Sequence, residues 1–432
     1  MSTTFYVSIG GDDDTSDGSD QSTPFRTIKK AIERAQTAGD VVEILDQGTY
    51  AESNHIDVKN DNITLTHTAS ELGRPIIDYS GLGSNELFDL TQASSHAHEG
   101  FTLNGLEIKG NGTHALLETP SGNNNANGLT ITDCFMYNLP KLQTFALNIE
   151  SGHTAKILTS SFMFTPNNSD AIEIDTVAGS FLIENCFLSR SSNGGGGESI
   201  QSILRADDRT CQATASFCTF IFNDVERVIN VIENFPKVIN CVVSSTIGTA
   251  VSGIDAVDHT FNVVNCGGGD FGFAFKNGSN ASASAGTGDI VSAFTFINPE
   301  SRGNTENVVA DFGLDTGSVG IDQGTAFNNV SVDILGVSRP QNGSFDIGAF
   351  EFTTGGGGGG GGGTDEDFTT SDGAETFNLK FGSNSFVIHG TANKLITRRF
   401  NSDKDNRQAP YFITIPGPPT IRERNTSYKN ET

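Results

Sequence analysis

The chain has 432 residues, of which 35% are hydrophobic and 50 are glycine, with no tryptophan and a formal net charge of −26. A strongly acidic chain repels nucleic acid and anionic membranes, so neither is expected as a partner. No stretch approaches the roughly 18 consecutive apolar residues of a membrane-spanning helix. Residues 1–11 lack the basic and apolar segments of a signal peptide. We therefore expect neither membrane insertion nor signal-dependent export.

Residues 1–50 predict a cap at the end of an elongated core. They contain a strand, a polar loop, one short helix and a second strand. Pro24 is expected to open the helix and Gly39 to end it. Four apolar residues share one face of this helix at the spacing i, i+3, i+4 and i+7: Ile28, Ala31, Ile32 and Ala35. A single amphipathic helix in a strand-rich chain is typical of such a cap.

The polar loop of this cap is a weak candidate for a metal site. Asp12, Asp14 and Asp17 precede Gly18 and have the acidic density of a calcium loop. No bidentate glutamate follows at the spacing that a calcium loop requires. The prediction is therefore that no cofactor is needed, with Ca²⁺ at these aspartates as the alternative.

The middle of the chain repeats a strand-like segment. Seven segments align between residues 105 and 269, at intervals of 28, 27, 25, 32, 23 and 25 residues. Repeats of this length indicate a solenoid, in which each repeat stacks on the next and buries a continuous core. No repeat has a helical pattern. The repeats therefore predict a parallel β-helix with one coil per repeat.

Most of the cysteines share one position of this repeat. The aligned residues are Leu106, Cys134, Ser161, Cys186, Cys218, Cys241 and Cys266, whereas Cys211 is out of register. They predict an inward stack of reduced thiols, because free cysteine is a small and frequently buried residue. Disulfides between neighbouring coils are a second reading. Zinc is disfavoured because no Cys-x-x-Cys or Cys/His spacing occurs.

Two segments resemble a known family. FYVSIGGDDDTSDGSDQSTPFRTIKKAIERAQTAGDVVEILDQGTY resembles the N-terminal cap of pectin-lyase-like right-handed parallel β-helix proteins. GSVGIDQGT with DILGVSRPQNGSFDIGAFEF resembles the terminal coil signature of that superfamily. The resemblance implies an all-β, right-handed parallel β-helix over residues 51–354, with Arg339, Asp346 and Glu351 in structural roles. It does not identify an activity, because this scaffold carries lyases, hydrolases, adhesins and viral spikes.

The catalytic patterns of related enzymes are missing. Neither Gly-His-Gly nor Arg-x-Lys occurs in the chain. The densest charged group of the repeats is Arg205, Asp207, Asp208 and Arg209. These four residues are the catalytic candidates if the protein is an enzyme acting on acidic sugars. A solvated turn is the alternative interpretation.

Nine glycines, Gly355 to Gly363, separate the body from residues 364–432 and predict a flexible linker. Residues 1–354 carry 17 Lys and Arg against 43 Asp and Glu, whereas residues 376–432 carry nine against four. The tail has three strand-like alternations and is expected to be a small β-rich or extended attachment module. The candidate attachment residues are Arg398, Arg399, Tyr411, Phe412, Arg422 and Arg424.

These features favour a non-enzymatic virion protein, a phage capsid decoration, spike or fibre. The tail would bind capsid or tail proteins and assemble a homotrimer, and the body is a candidate binder of cell-surface polysaccharide. One alternative is a polysaccharide lyase or glycoside hydrolase acting on acidic polysaccharide. Another is an extracellular or cell-surface adhesin exported without a signal peptide.

Overall fold

The computed structural model describes the body of the chain with gaps and a few segments of the tail. The described residues are 2–67, 73–82, 86–90, 100–110, 115–118, 127–139, 147–149, 154–164, 172–174, 180–190, 204–206, 212–221, 227–231, 237–244, 252–256, 262–264, 275–277, 281–282, 290, 292, 294–298, 306–353, 367–368, 375–381, 384–390 and 395–396. The chain forms two units. The first comprises Met1–Thr354 and Gly358–Gly360, and the second Gly355–Gly357 and Gly361–Thr432.

Short strands dominate the first unit. In chain order they are β1 (Thr4–Val7), β2 (Val41–Ile44), β3 (Thr49–Ala51), β4 (Ile56–Asp57), β5 (Ile63–Thr66), β6 (Ile76–Asp78), β7 (Phe88–Asp89), β8 (Phe101–Asn104), β9 (Glu107–Lys109), β10 (Leu117–Glu118), β11 (Asn127–Thr132), β12 (Phe135–Leu139), β13 (Leu147–Ile149), β14 (Thr154–Leu158), β15 (Ser161–Phe164), β16 (Ile172–Ile174), β17 (Ser180–Glu184), β18 (Phe187–Arg190), β19 (Leu204–Ala206), β20 (Gln212–Ser216), β21 (Thr219–Ile221), β22 (Arg227–Val231), β23 (Lys237–Ile239), β24 (Val242–Ser244), β25 (Ser252–Ala256), β26 (Asn262–Val264), β27 (Phe275–Asn277) and β28 (Ala281–Ser282).

These strands form three sheets of a parallel β-helix. Sheet A has ten strands in the order β1-β2-β5-β8-β11-β14-β17-β20-β23-β26. Sheet B has eight strands, β24-β21-β18-β15-β12-β9-β6-β3, and sheet C has ten, β28-β27-β25-β22-β19-β16-β13-β10-β7-β4. Each coil, from β2-β3-β4 to β23-β24-β25, therefore adds one strand to each sheet. The predicted parallel β-helix is confirmed.

The cap helix α1 (Ile28–Arg34) lies at the N-terminal end. Ile28, Ala31 and Ala35 are at most 1% exposed and Ile32 is 3% exposed, so the predicted apolar face is buried. The helix begins later than Pro24 predicts, because Thr27 is the N-cap and its Oγ1 accepts the amide of Lys30 at 3.2 Å. Within the described residues, neither α1 nor α2 (Glu306–Asp311) is long and apolar enough to cross a membrane.

A left-handed residue forms the corner between sheets A and B in each of six successive coils. These residues have φ between 47° and 70°: Gly105, Asp133, Thr159, Asn185, Phe217 and Asn240. The residue that follows each corner is buried: Leu106, Cys134, Ser160, Cys186, Cys218 and Cys241. The stack of free cysteines is therefore confirmed for these four, and Cys266 and Cys211 lie outside the described residues.

One member of the predicted stack was wrong by one position. Ser161 pairs with Phe135 and Phe187 on sheet B, one residue beyond the corner position. Ser160 takes the stacked position instead, because the left-handed corner falls at Thr159. Its Oγ donates to the carbonyl of Leu158 at 2.8 Å.

The segment from residue 290 to residue 352 packs against the outer face of sheet B. Its described residues contribute no strand to the three sheets, although the sequence predicts a terminal coil here. Its apolar side chains form a second core with outward residues of sheet B, among them Phe135, Met163, Phe187, Ile221 and Val242. Asn240 fixes the segment, because its Nδ2 donates to Thr325 O at 2.7 Å and its Oδ1 accepts the Thr325 amide at 3.0 Å.

The second unit contains short antiparallel pairs. β30 (Glu375–Phe381) pairs with β31 (Asn384–Gly390), and β29 (Asp367–Phe368) pairs with β32 (Leu395–Ile396). The predicted strand segments of the tail thus form a hairpin and a short bridge. The polyglycine segment and residues 397–432 lie outside the described residues.

Candidate functional site

The outer faces of the three sheets differ in chemistry. Sheet B is covered by the 290–352 segment. The outer face of sheet A carries the paired, partly exposed residues Thr64, Thr102 and Thr130, followed in register by the exposed Lys156. Sheet C carries charged and amide residues at one register position along its length. Because of these charged and amide residues, sheet C is the candidate ligand-binding sheet.

This sheet C row consists of nine residues that pair in succession. They are Asp57, Asp89, Glu118, Asn148, Glu173, Arg205, Asn230, Asp255 and Lys276. Neighbouring strands lie about 4.8 Å apart, so the row repeats a polar residue at that spacing along the solenoid. Five of its positions are acidic, two are basic and two are amides.

Strand alternation places the first two members of the row, Asp57 and Asp89, on the outer face. Ile56, Phe88 and Leu117 precede row members and are 0% exposed within the main core. Val58, the residue after Asp57, is also buried, at 1% exposed. Because successive residues of a strand point to opposite faces, Asp57 and Asp89 face away from this core.

The N-terminal end of the row contains a compact group of metal-ligating side chains. One ligand atom each from His55, Asp57 and Asp89 lie within 4.8 Å of one another. Asp57 and Asp89 are direct register partners on β4 and β7, and His55 Nε2 is 3.1 Å from Asp57 Oδ1. Asp89 is buried, at 5% exposed. Two carboxylates are thus held side by side by the backbone.

A lysine beside this group offsets part of the repulsion between the two carboxylates, and a third carboxyl group lies nearby. Lys59 Nζ is 3.5 Å from Asp57 Oδ2, although the lysine side chain is 63% exposed. Glu86 lies close by. Burial raises the pKa of its carboxyl, and the charge of Asp89 adds to the rise, whereas His55 opposes it. The local potential is therefore negative, and it favours a bound cation.

The sequence-predicted catalytic group is only partly described. Arg205 lies on β19 in the sheet C row, between Glu173 and Asn230. Asp207, Asp208 and Arg209 lie outside the described residues, as do all six candidate attachment residues of the tail. The structure thus brings Arg205 into line with residues that the sequence did not single out.

The predicted calcium loop uses its carboxylates in local hydrogen bonds. Asp12 Oδ1 accepts the amides of Asp14 and Thr15, and its Oδ2 accepts the Thr15 hydroxyl at 2.7 Å. Asp17 Oδ1 accepts the amide and hydroxyl of Ser19. Hydrogen bonds from Thr15 and from Ser19 lower the pKa of the Asp12 and Asp17 carboxyls, respectively. Asp12, Asp14 and Asp17 do not form a metal-ligating group in the described part of the chain.

The carboxylates of the terminal signature hold a buried arginine. Arg339 Nη2 donates to Gly348 O at 2.8 Å, and its Nε is 3.6 Å from Glu351 Oε2. Asp333 Oδ1 accepts the amides of Leu335 and Val337, at 2.8 and 2.7 Å. These contacts are internal to the 290–352 segment, which agrees with a structural role.

A cavity of about 430 Å³ lies between the sheet A–B corner and the 290–352 segment. Its charged lining residues include Arg74 and Asp133, which bond to each other with Nη2 and Oδ1 2.6 Å apart. Asp333, another lining residue, already accepts backbone amides. The lining charges thus serve internal contacts.

Two solved structures are similar to this chain. A structure described as the crystal structure of pectate lyase Pel9A has a TM-score of 0.41 and 17% identity, covering 82% of this chain and 98% of its own. A rhamnogalacturonan lyase has a TM-score of 0.35 and 16% identity, covering 63% of this chain and 73% of its own. No protein-family model matches the sequence, and no curated protein matches it. The sheet topology itself establishes the parallel β-helix.

Proposed function

We propose that this protein is a non-enzymatic virion protein whose β-helix body binds a polysaccharide strand along the outer face of sheet C. The sheet C row carries this proposal. It repeats a polar residue at one register position about every 4.8 Å over nine strands, a spacing that suits an extended polymer better than a compact ligand.

The charges of the row favour a neutral or amine-bearing polysaccharide. Its five acidic positions outnumber Arg205 and Lys276, and the body as a whole is strongly acidic. A polyuronate would meet like charges along most of its length, which costs affinity and slows association. Carboxylates accept hydrogen bonds from sugar hydroxyls, and side-chain amides both accept and donate them, without such a cost.

The virion role rests on the organisation of the chain. A basic tail follows an acidic body through nine glycines, an arrangement that lets the tail dock on capsid or tail proteins while the body reaches outward. Homotrimer formation through residues 364–432 belongs to the same proposal. Purified particles would contain the protein, and truncation after Thr354 would remove it from them.

The glycan proposal is tested by binding of the full chain to a panel of neutral, amine-bearing and uronate polysaccharides in affinity electrophoresis. Combined Glu173→Ala and Asn230→Ala substitutions are expected to weaken binding about tenfold, equivalent to about 1.4 kcal/mol. The matched control is Thr102→Ala with Thr130→Ala on sheet A, which should bind as wild type. Equal binding by both double variants would reject the sheet C row as the binding face.

A lyase or hydrolase acting on acidic polysaccharide is the second candidate, because Arg205 stands between a carboxylate and an amide in the row. A guanidinium in this position could neutralise a uronate carboxylate. Polygalacturonate and alginate are incubated with wild type and Arg205→Ala, and unsaturated products are followed by ultraviolet absorbance. Product release that disappears in Arg205→Ala would replace the non-enzymatic proposal.

A further inference from the structure

We infer that His55, Asp57 and Asp89 bind a divalent transition-metal ion, with Zn²⁺ as the ion that best fits their donor atoms. The inference does not require the proposed polysaccharide binding, although Asp57 and Asp89 also belong to the sheet C row. It rests on the positions of three side chains on or beside two adjacent strands and on the burial of Asp57 Oδ1 and of Asp89.

The backbone already sets the ligands side by side. Asp57 and Asp89 are register partners in a parallel sheet, and His55 immediately precedes β4. Their ligand atoms lie within 4.8 Å of one another, and the His55–Asp57 distance is 3.1 Å. Ligands of a tetrahedral zinc ion at about 2.1 Å are roughly 3.4 Å apart, so small side-chain rotations complete the set.

A cation at this position would neutralise negative charge on buried carboxylate atoms. Asp57 Oδ1 is buried and accepts no hydrogen bond, although it faces His55 Nε2. Asp89 is 5% exposed and stands directly opposite Asp57. Like charges directly opposite each other on paired strands are destabilising. The salt bridge from Lys59 reaches Asp57 Oδ2, whereas Oδ1 lies beside His55 Nε2.

The donor set selects the class of ion. Imidazole suits Zn²⁺, Cu²⁺ and Ni²⁺, whereas Ca²⁺ and Mg²⁺ prefer sites made of oxygen atoms alone. One imidazole with two carboxylates gives three protein ligands and leaves a position for water, as in zinc sites that are not closed by four side chains. No cysteine belongs to the group, so a soft monovalent ion is not favoured.

The test measures Zn²⁺ binding to the full chain after removal of metal with a chelator, by competition with a chromophoric chelator. Wild type is expected to bind one Zn²⁺ that His55→Gln and Asp89→Asn each weaken at least tenfold. His389→Asn, in β31 of the second unit, is the control for non-specific histidine binding and should match wild type. Circular dichroism verifies that each variant is folded.

Lys59→Met supplies a second readout that cannot be attributed to misfolding, because Lys59 is exposed. Removing this cation, 3.5 Å from Asp57 Oδ2, should strengthen Zn²⁺ binding several-fold. Unchanged Zn²⁺ affinity in His55→Gln, weaker binding in Lys59→Met, or Ca²⁺ binding as tight as Zn²⁺ would each overturn the inference. In those cases His55 and Asp57 form an ion pair only.

Discussion

The 290–352 segment should be held to sheet B chiefly by its phenylalanines, and Phe312→Ala tests this. Phe312 is 2% exposed, and its ring centroid lies 5.3 Å from that of Phe187 and 5.9 Å from that of Phe296. Truncating a buried phenylalanine costs about 3–5 kcal/mol. The two aromatic contacts, at about 0.5–1.5 kcal/mol each, place the expected loss of unfolding free energy toward the upper end.

The assay combines urea denaturation with limited proteolysis mapped by mass spectrometry. Phe312→Ala should open the segment to cleavage first, because Phe312 packs on the outer face of sheet B and not in the core enclosed by the coils. Phe352→Ala is the matched control, since Phe352 is only partly buried against the same core, and it should cost less than about 1.5 kcal/mol. Equal losses in the two variants, or cleavage starting within the coils, would refute this account of the segment.

Three further predictions follow from single buried groups. Burial raises the pKa of the Glu52 carboxyl to about 7, so the ionisation of Glu52 lowers the stability of the fold as pH rises from about 4 to 7. In urea titrations, Glu52→Gln should therefore leave stability unchanged at pH 4 and raise it by up to about 3 kcal/mol at pH 8. A gain that does not depend on pH would contradict this prediction. Four of the six cysteines are buried and should resist a thiol reagent in the native state, so at most two should react: the buried four are Cys134, Cys186, Cys218 and Cys241. At Cys134, burial also raises the pKa of the thiol to about 12, which disfavours the reactive thiolate. Asn240→Ala removes both hydrogen bonds to Thr325 and places alanine at a φ of 53°, which should cost about 2–3 kcal/mol in urea denaturation. Asn328→Ala is the control, because Asn328 is exposed, has a φ of 51° and donates a hydrogen bond to Glu184 Oε2. It should cost less than Asn240→Ala, and equal costs would contradict a role for the Thr325 contact.

The sequence was sufficient to predict the solenoid and its cap, because both depend on local patterns. The apolar face of α1 follows from helical spacing alone, and the thiol stack follows from one small residue per repeat. The error at Ser161 has a local cause as well. Two consecutive serines both fit the alignment, and only the left-handed φ of 47° at Thr159 decides which serine follows the corner.

The position of the C-terminal segment could not be predicted from its motif. Arg339 pairs with Glu351 within DILGVSRPQNGSFDIGAFEF, and a contact of this kind does not specify where the segment packs. That information lies in the coils, where Phe135 and Phe187 face outward on sheet B. An outward phenylalanine in a repeat is a signal that something covers it.

The sheet C row was missed because loops of unequal length separate its members. Asp57 and Asp89 are 32 residues apart, a distance that carries no periodic signal by itself. A recognisable pattern was nevertheless present. Every member follows an apolar residue, as in Ile56-Asp57, Phe88-Asp89, Leu204-Arg205 and Phe275-Lys276, so one apolar–polar pair per repeat marks a strand with one face on the core.

A β-helix allows each face to take a separate role, because every coil contributes one position to each sheet. On sheet B, apolar residues at that position recruit the C-terminal segment and so remove the face from contact with ligands. On sheet C, the same backbone geometry lines up charges, and parallel pairing places like charges such as Asp57 and Asp89 side by side. Lys59, 3.5 Å from Asp57 Oδ2, offsets part of this repulsion. In our proposals ligands offset the remainder, a metal ion at the N-terminal end and a polymer along the rest, and the two binding assays test them.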